Sequence, residues 1–264
     1  MGDLAVVTGA SSGIGEAYAE ALAEQGWDIA VVARRRERLE ELAQRLTTGG
    51  NTAVRIFEAD LASRDQLDTQ CEGLAGLPVG MLVNNAGLGH YMPFAELPVE
   101  KATELVDTNI LAPIRLTQSV LPGMLQRGRG AVINVASLLA FSGPLEGPHL
   151  PRRAVYAGSK AFLVTFTQVL ANELKGTGVR VQVVCPGVVR SEFHSRQGMD
   201  MSSVPRMEPA DLVRGSLLDL ERGEVLSVPA VADLTVQDRL EDAERELMAS
   251  ARTVALAERY QERG

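Results

Sequence analysis

A tyrosine and a lysine stand four residues apart in Tyr156-Ala157-Gly158-Ser159-Lys160, near the start of a segment with helical periodicity. That spacing puts both side chains one turn apart on a single helix face. An isolated phenol titrates near about 10, and an adjacent ammonium favours its ionised form. The pair is therefore expected to exchange a proton near neutral pH. Ser137 closes the apolar run Ile133-Asn134-Val135-Ala136-Ser137, where a hydroxyl can hydrogen-bond an oxygen on which charge develops. A Tyr and Lys at this spacing arise by chance on many helices, so their meaning depends on what surrounds them.

The N-terminal stretch Thr8-Gly9-Ala10-Ser11-Ser12-Gly13-Ile14-Gly15 follows an apolar run and leads straight into a helical segment. Three glycines at such a junction permit a tight turn, close approach of backbone N–H groups to a pyrophosphate, and close packing of helix on sheet. An ordinary glycine turn is the alternative, but strand, loop and helix stand in the order of one βαβ unit. A fourth apolar run ends in Asn84-Asn85-Ala86-Gly87, where small and amide residues let a ligand lie against the backbone. In a doubly wound sheet the ends of strands one and four flank the reversal of strand order, where ligands bind. A positively charged nicotinamide in that crevice would favour the Tyr156 phenolate further.

After the second run stands Ala33-Arg34-Arg35-Arg36. Proteins that prefer NAD place an acid there, about 20 residues beyond the glycine loop, to hold the ribose 2′-hydroxyl. A guanidinium instead binds a 2′-phosphate through paired charge-assisted hydrogen bonds. NADP(H) is therefore expected over NAD(H), with Arg34 carrying most of the discrimination and Arg35 assisting. Positive charge at a helix start is slightly unfavourable against the helix dipole, which argues against a merely solubilising role.

The elements that must hold these residues are legible as periodicity. Apolar runs at 4–8, 28–33, 52–58, 80–84, 130–136 and 179–184 alternate with helical segments, clearest at 13–25, 35–47 and 154–175. A helix at 209–222 precedes a run at 224–228 that can add a seventh strand. The pattern predicts an α/β fold: a single-domain, doubly wound, Rossmann-like and mostly parallel sheet of about seven strands, with helices on both faces. This catalytic domain is expected over 1–232. Residues 233–264 are expected to form a C-terminal helical extension packed on the domain or on a partner subunit. There Leu240, Leu247 and Val254 repeat every seven residues, with Val236, Ala243 and Ala257 on the complementary seam. Residues 188–207 lack a period and read as a long loop of the kind often used as a lid.

In order, the TGxxxGxG loop, the NNAG strand end, Ser137 and the YxxxK helix resemble the short-chain dehydrogenase/reductase family, over about residues 4–228. The resemblance implies a catalytic tetrad of Asn109, Ser137, Tyr156 and Lys160, in which Asn109 holds a water linking Lys160 to solvent. It implies cofactor contacts from Gly9, Ser11, Ser12, Gly13, Ile14 and Gly15 of the loop, and from Asp60, beside the adenine, with Leu61. Further contacts are implied from Asn85, Ala86 and Gly87 on the adenosine ribose side, and from Tyr156 and Lys160, the latter on the nicotinamide ribose. Pro186-Gly187-Val188-Val189-Arg190-Ser191 resembles the segment that meets the nicotinamide carboxamide, with Ser191 where Thr is usual. The implied activity is hydride transfer between NADP(H) and a carbonyl or alcohol, with Tyr156 as general acid/base. A non-catalytic NADP(H)-binding sensor, and an epimerase or dehydratase on the same scaffold, are the alternatives.

The chain departs from the family pattern in two places. Many NADP-using relatives carry a basic residue just before the middle glycine, where this chain has Ser12. The stretch from Ser137 to Tyr156 is also several residues longer than usual. Prolines and a glycine in Glu146-Gly147-Pro148-His149-Leu150-Pro151-Arg152-Arg153 exclude a continuous helix, so a loop rimming the substrate pocket is expected.

Bulk properties bound the remaining classes. A net charge of -8 argues against a general nucleic-acid surface. The first strand is read as starting by Leu4, without room for a leader, and no apolar run is read as approaching the roughly 18 residues of a membrane span. A cytoplasmic protein without a membrane partner is expected. Cys71 and Cys185 read as buried free thiols. His90, His149 and His194 lack ligand spacing, so no metal is expected, although His90 and His194 lie on loops near the expected pocket. The substrate is expected to be a small-molecule carbonyl or alcohol, shaped by loop residues such as Leu88, Phe141, Phe193 and Met199. A homodimer or homotetramer is implied by family resemblance, with the helices around 98–125 and 154–175 at the contact. Phe162, Phe166 and Leu170 recur there at helical spacing.

Overall fold

The computed structural model describes residues 3–48, 52–147, 150–252 and 254–260. Seven strands, β1 (Leu4–Thr8), β2 (Asp28–Ala33), β3 (Val54–Glu58), β4 (Val79–Asn84), β5 (Gly130–Val135), β6 (Val179–Val184) and β7 (Leu226–Ser227), form one parallel sheet. Their order is β3-β2-β1-β4-β5-β6-β7. The helices joining them are α1 (Gly13–Glu24), α2 (Arg36–Thr48), α3 (Arg64–Ala75), α4 (Val99–Val106), α5 (Ala112–Arg127) and α6 (Ala154–Glu173). After β6 come the single turn α7 (Glu192–Ser195) and α8 (Pro209–Arg222), and α9 (Thr235–Ser250) follows β7.

The strands read as unbroken apolar runs because both of their faces are covered. Ala5, Val7, Ile29 and Val31 join one core cluster with Leu22 of α1 and Leu217 of α8. Leu4, Val6, Ala30 and Val32 join a second with Leu74 of α3 and Leu116 of α5. The alternation is the period of two that a strand imposes on its side chains. Strand order reverses between β1 and β4, so the loops at their C-terminal ends part and leave a crevice.

The phosphate-loop helix is tied down at mid-length. The Tyr18 hydroxyl donates to Ser216 Oγ of α8 at 2.6 Å, and Ser216 donates on to Gln182 Oε1 of β6 at 2.6 Å. All three side chains are fully buried. Tyr18→Phe keeps the ring and removes one buried bond, so it is expected to cost about 1 kcal/mol, or roughly 2–4 °C of Tm for a domain of this size. Thermal unfolding checks this; an unchanged Tm would contradict it.

Two expectations need correcting. The sequence shows no obvious membrane-length run, yet α6 passes by length and mean hydropathy, at 20 residues and 1.2. Its apolar character serves packing along the sheet, with Leu163, Val164 and Leu170 buried. The seven-residue repeat of the tail outruns its helix, since α9 ends at Ser250 before Val254. Ser250 Oγ donates to the Leu247 carbonyl, a local bond that competes with continued helix. The chain divides into two compact units at Ala230/Val231. Within the second, no residue of α9 is buried.

Candidate active site

The first two turns of α6 carry Tyr156 and Lys160. Tyr156 and Lys160 are 6% and 4% exposed, and Lys160 Nζ lies 5.7 Å from the Tyr156 ring centroid. The ammonium donates to the Val135 carbonyl at 2.8 Å, which fixes it against the end of β5. Ser137 follows that strand end in extended conformation, accepts from Leu139 N at 3.1 Å and hydrogen-bonds Tyr156. Asn109 sits fully buried in the π-helical turn Asp107–Leu111. It accepts from Leu88 N at 2.9 Å and donates to the Leu88 carbonyl and Ser159 Oγ at 3.0 and 3.1 Å. Asn109 thus ties α6 to the loop after β4 without bonding Lys160 directly. Such π turns recur at functional sites because the widened turn redirects backbone groups.

Burial dominates the electrostatics. It pushes the Tyr156 phenol up to about 12, against hydrogen bonds from Ser137 and Tyr91 that favour the ionised form. Burial also brings Lys160 down to about 8. The expectation that the ammonium lowers the phenol therefore fails for the chain alone, because burial outweighs it. At neutral pH Tyr156 keeps its proton and Lys160 its charge.

Three aromatic rings wall the catalytic end. Tyr91 meets Tyr156 edge-on at 5.2 Å between centroids, and Phe193 lies 5.8 Å from Tyr156 and 6.2 Å from Tyr91. No motif marks Tyr91, which stands in an aperiodic loop. Arg153 is equally silent in the sequence. Its guanidinium donates to Ser142 Oγ and the Ser142 carbonyl, both at 2.8 Å, and to the Pro151 carbonyl at 3.0 Å. It thereby staples both ends of the 146–153 insertion just before Tyr156, and Leu150 and Pro151 line the site as expected of a rim. Pro148 and His149 lie outside the described residues.

From this end a cavity of about 760 Å³, of the size that holds small-molecule ligands, runs to Arg34 and Asp60. The sequence-expected positions Gly9, Ser11, Ser12, Ile14, Arg35 and Leu61 line it. So do Asn85, Ala86 and Gly87 after β4, and Pro186, Gly187, Val189 and Ser191 after β6. Gly13 and Gly15 stand behind that wall. Gly9 and Gly13 adopt φ +66° and +61°, which side chains rarely tolerate. A Cβ on Gly15 would fall 2.4 Å from both the Gly9 carbonyl oxygen and Asn85 Nδ2. Asn85 in turn donates to the Thr8 carbonyl at 2.9 Å, pinning β4 to the loop. This bare backbone cradle is what an approaching pyrophosphate requires.

The two arginines divide. Arg35 Nη2 donates to the Ser11 carbonyl, Ser11 Oγ and Ser12 Oγ, each at 3.0 Å. Arg34 turns across the cavity toward Asp60 and Glu104, each at 3.9 Å. His90, at φ +46°, pairs with Glu104 at 3.1 Å, and His194 lies beside Phe193; both line the cavity. The 188–207 loop is closed at its base, where Val189 bridges to Met207, and Met199 and Met201 face the cavity.

A parallel sheet with a glycine cradle at its switch point and a buried Ser, Tyr and Lys beside it defines a class of protein. Residues 3–201 match the model of the short chain dehydrogenase family, and the chain belongs to that family. It is similar to the very-long-chain 3-oxoacyl-CoA reductase of Mus musculus, at 37% identity over 197 residues, 73% of this chain and 61% of that protein. The chain thus matches about three fifths of that relative's length. Among solved structures it is similar to a short-chain dehydrogenase from Sphingobium yanoikuyae in complex with NADPH. That likeness has a TM-score of 0.92 at 34% identity, covering 98% of this chain and 100% of the other. A bulky-bulky ketone specific alcohol dehydrogenase from Comamonas testosteroni follows, with TM-score 0.88 at 31% identity over 98% and 99% of the two chains.

Proposed function

We propose that the protein is an oxidoreductase that interconverts a bulky, apolar carbonyl and its alcohol with NADP(H) as hydride partner. The observation that carries this reading is one continuous cavity joining Tyr156, Ser137 and Lys160 to the glycine cradle and Arg35. The cradle fits a dinucleotide because a Cβ at Gly9 or Gly15 would meet backbone at 3.0 Å or less. Gly9, Ser12 and Ile14 would hold the pyrophosphate, Asp60 the adenine side, and Lys160 the nicotinamide ribose. When bound, a nicotinamide supplies the hydride to a carbonyl carbon or takes it from an alcohol. In reduction, Tyr156 gives its proton to the substrate oxygen. Ser137 donates to that oxygen as charge develops, and the Lys160 ammonium steadies the phenolate left behind.

The substrate class draws support from Leu88, Tyr91, Leu138, Phe193 and Met199 at the catalytic end, and from relatives named for 3-oxoacyl-CoA and for bulky ketones. The preference for NADP(H) draws support from Arg35, whose grip on Ser11 and Ser12 sets it at the loop mouth. Arg35 is accordingly assigned the larger share and Arg34 the smaller, the reverse of the order read from sequence. At about 1.5–3 kcal/mol for a hydrogen bond to a charged group, Arg35→Ala is expected to weaken NADPH roughly ten- to a hundredfold and NADH little. Values of kcat/KM for both cofactors in wild type and variant test it. Preference for NADH in wild type, or equal loss of both cofactors, would contradict it.

The pH dependence follows from Lys160. With its ammonium brought down to about 8, charge support for the phenolate is present below that pH and lost above it. Tyr156, near 12, stays protonated throughout that interval. The kcat/KM for carbonyl reduction is expected to be level below pH 8 and to fall above it. A profile level to pH 10 would contradict this. A cytoplasmic homodimer or homotetramer is proposed as well. Phe162 and Phe166, stacked at 5.6 Å and half-buried, and the half-exposed Val169 lie on one side of α6, while Leu170 is buried. Light scattering showing only monomer at micromolar concentration would reject the oligomer.

A further inference from the structure

We infer that Glu192 sets the strength of the 2′-phosphate preference by competing with that phosphate for Arg35. The inference rests on the NADP(H) reading above and assigns a specificity-determining role to a residue outside every family motif. Glu192 opens α7, directly after Ser191, and its Oε2 accepts from Arg35 Nη1 at 2.8 Å. The same guanidinium is committed on its other side, with Nη2 on Ser11 and Ser12 at 3.0 Å and Nε on Ser11 Oγ at 3.3 Å. Of the five guanidinium N–H groups, one on Nη1 has no acceptor among the described residues, so an anion that takes two donors from Arg35 must displace one of these acceptors. The serine oxygens are neutral, whereas Glu192 carries a full charge and would repel a dianion beside it.

Two further observations hold the carboxylate in place. The Ser191 Cβ lies 2.9 Å from where a Cβ on Gly13 would stand, so the chain leading into Glu192 is packed onto the glycine loop. Arg196, one turn on, also donates to Glu192 Oε2. Arg35, and then Arg196, keep the Glu192 carboxyl below the usual carboxylate range, so it is charged at neutral pH. The pair is about a third to two fifths exposed, at 34% and 41%, which limits the competition to the few-fold range of half-solvated ion pairs.

The test is calorimetric titration of the full chain with 2′,5′-ADP and with 5′-AMP, which differ only in the 2′-phosphate. Wild type, Glu192→Gln, Arg35→Ala and the double variant are compared, each checked for an unaltered Tm. Glu192→Gln is expected to tighten 2′,5′-ADP about three- to fivefold and leave 5′-AMP unchanged, with the gain absent in the Arg35→Ala background. A wild type that prefers 2′,5′-ADP, with no gain or an equal gain for both ligands in Glu192→Gln, overturns this inference alone. Equal binding of the two ligands by both wild type and Glu192→Gln overturns the NADP(H) reading with it. Equal binding in wild type that becomes a preference in Glu192→Gln supports the competition and overturns only the wild-type preference.

Discussion

Tyr156→Phe is expected to lower kcat for carbonyl reduction by about 10²–10⁴, the usual share of general acid–base catalysis, and to leave NADPH affinity little changed. The substitution is clean because the ring contacts with Tyr91 and Phe193 remain and only the hydroxyl is removed. Orientation of the substrate and its oxygen by Ser137 survives, so a residual rate should persist. In the proposed mechanism the buried phenol, near 12, gives the proton, while Lys160, brought down to about 8, donates to the Val135 carbonyl. Steady-state kinetics and a cofactor titration check both halves. Retention of more than about a tenth of wild-type kcat would rule Tyr156 out as the proton donor.

Gly15→Ala is expected to act on the opposite quantity, weakening NADPH by more than about tenfold, or 1.4 kcal/mol, with kcat at saturating cofactor less affected. The added methyl would stand 2.4 Å from the Gly9 carbonyl oxygen and 2.8 Å from its carbon, both backbone atoms without a flexible end that can swing aside. Asn85 Nδ2, at 2.4 Å from the same point, would also be driven from its bond to Thr8. The loop must then shift, and the backbone N–H groups aimed at the pyrophosphate shift with it. Fluorescence or calorimetric titration of NADPH reads the loss. Wild-type affinity in this variant would mean that the glycine loop is not the cradle.

The fold and the chemical core are legible in the sequence because their causes are local. Each central strand is covered on both faces, so burial writes itself as an apolar run such as Ala5-Val6-Val7, and the helices between end at glycines such as Gly26, at φ +87°. Tyr156 and Lys160 share a helix face by spacing alone. What is not legible depends on meetings distant in sequence. Arg35 finds Glu192 157 positions away, and that meeting, with Ser11 and Ser12, separates its part from that of Arg34. Tyr91 reaches Tyr156 from a loop that no period marks. The direction of the phenol's shift cannot be read from the Tyr–Lys spacing, because depth of burial is a tertiary property and it outweighs the neighbouring ammonium.

In the proposed reaction a hydride and a proton are delivered to one carbonyl at this site, the proton by Tyr156. Incubation of the full chain with NADPH carrying deuterium at both C4 positions of the nicotinamide, together with a panel of bulky ketones and 3-oxoacyl thioesters, tests it by mass spectrometry of the products. Wild type is expected to form an alcohol bearing one deuterium on the carbinol carbon, and Tyr156→Phe the same label at a rate lower by about 10²–10⁴. NADPH bound by the wild type with no labelled alcohol from any member of the panel, at high enzyme concentration, would contradict it.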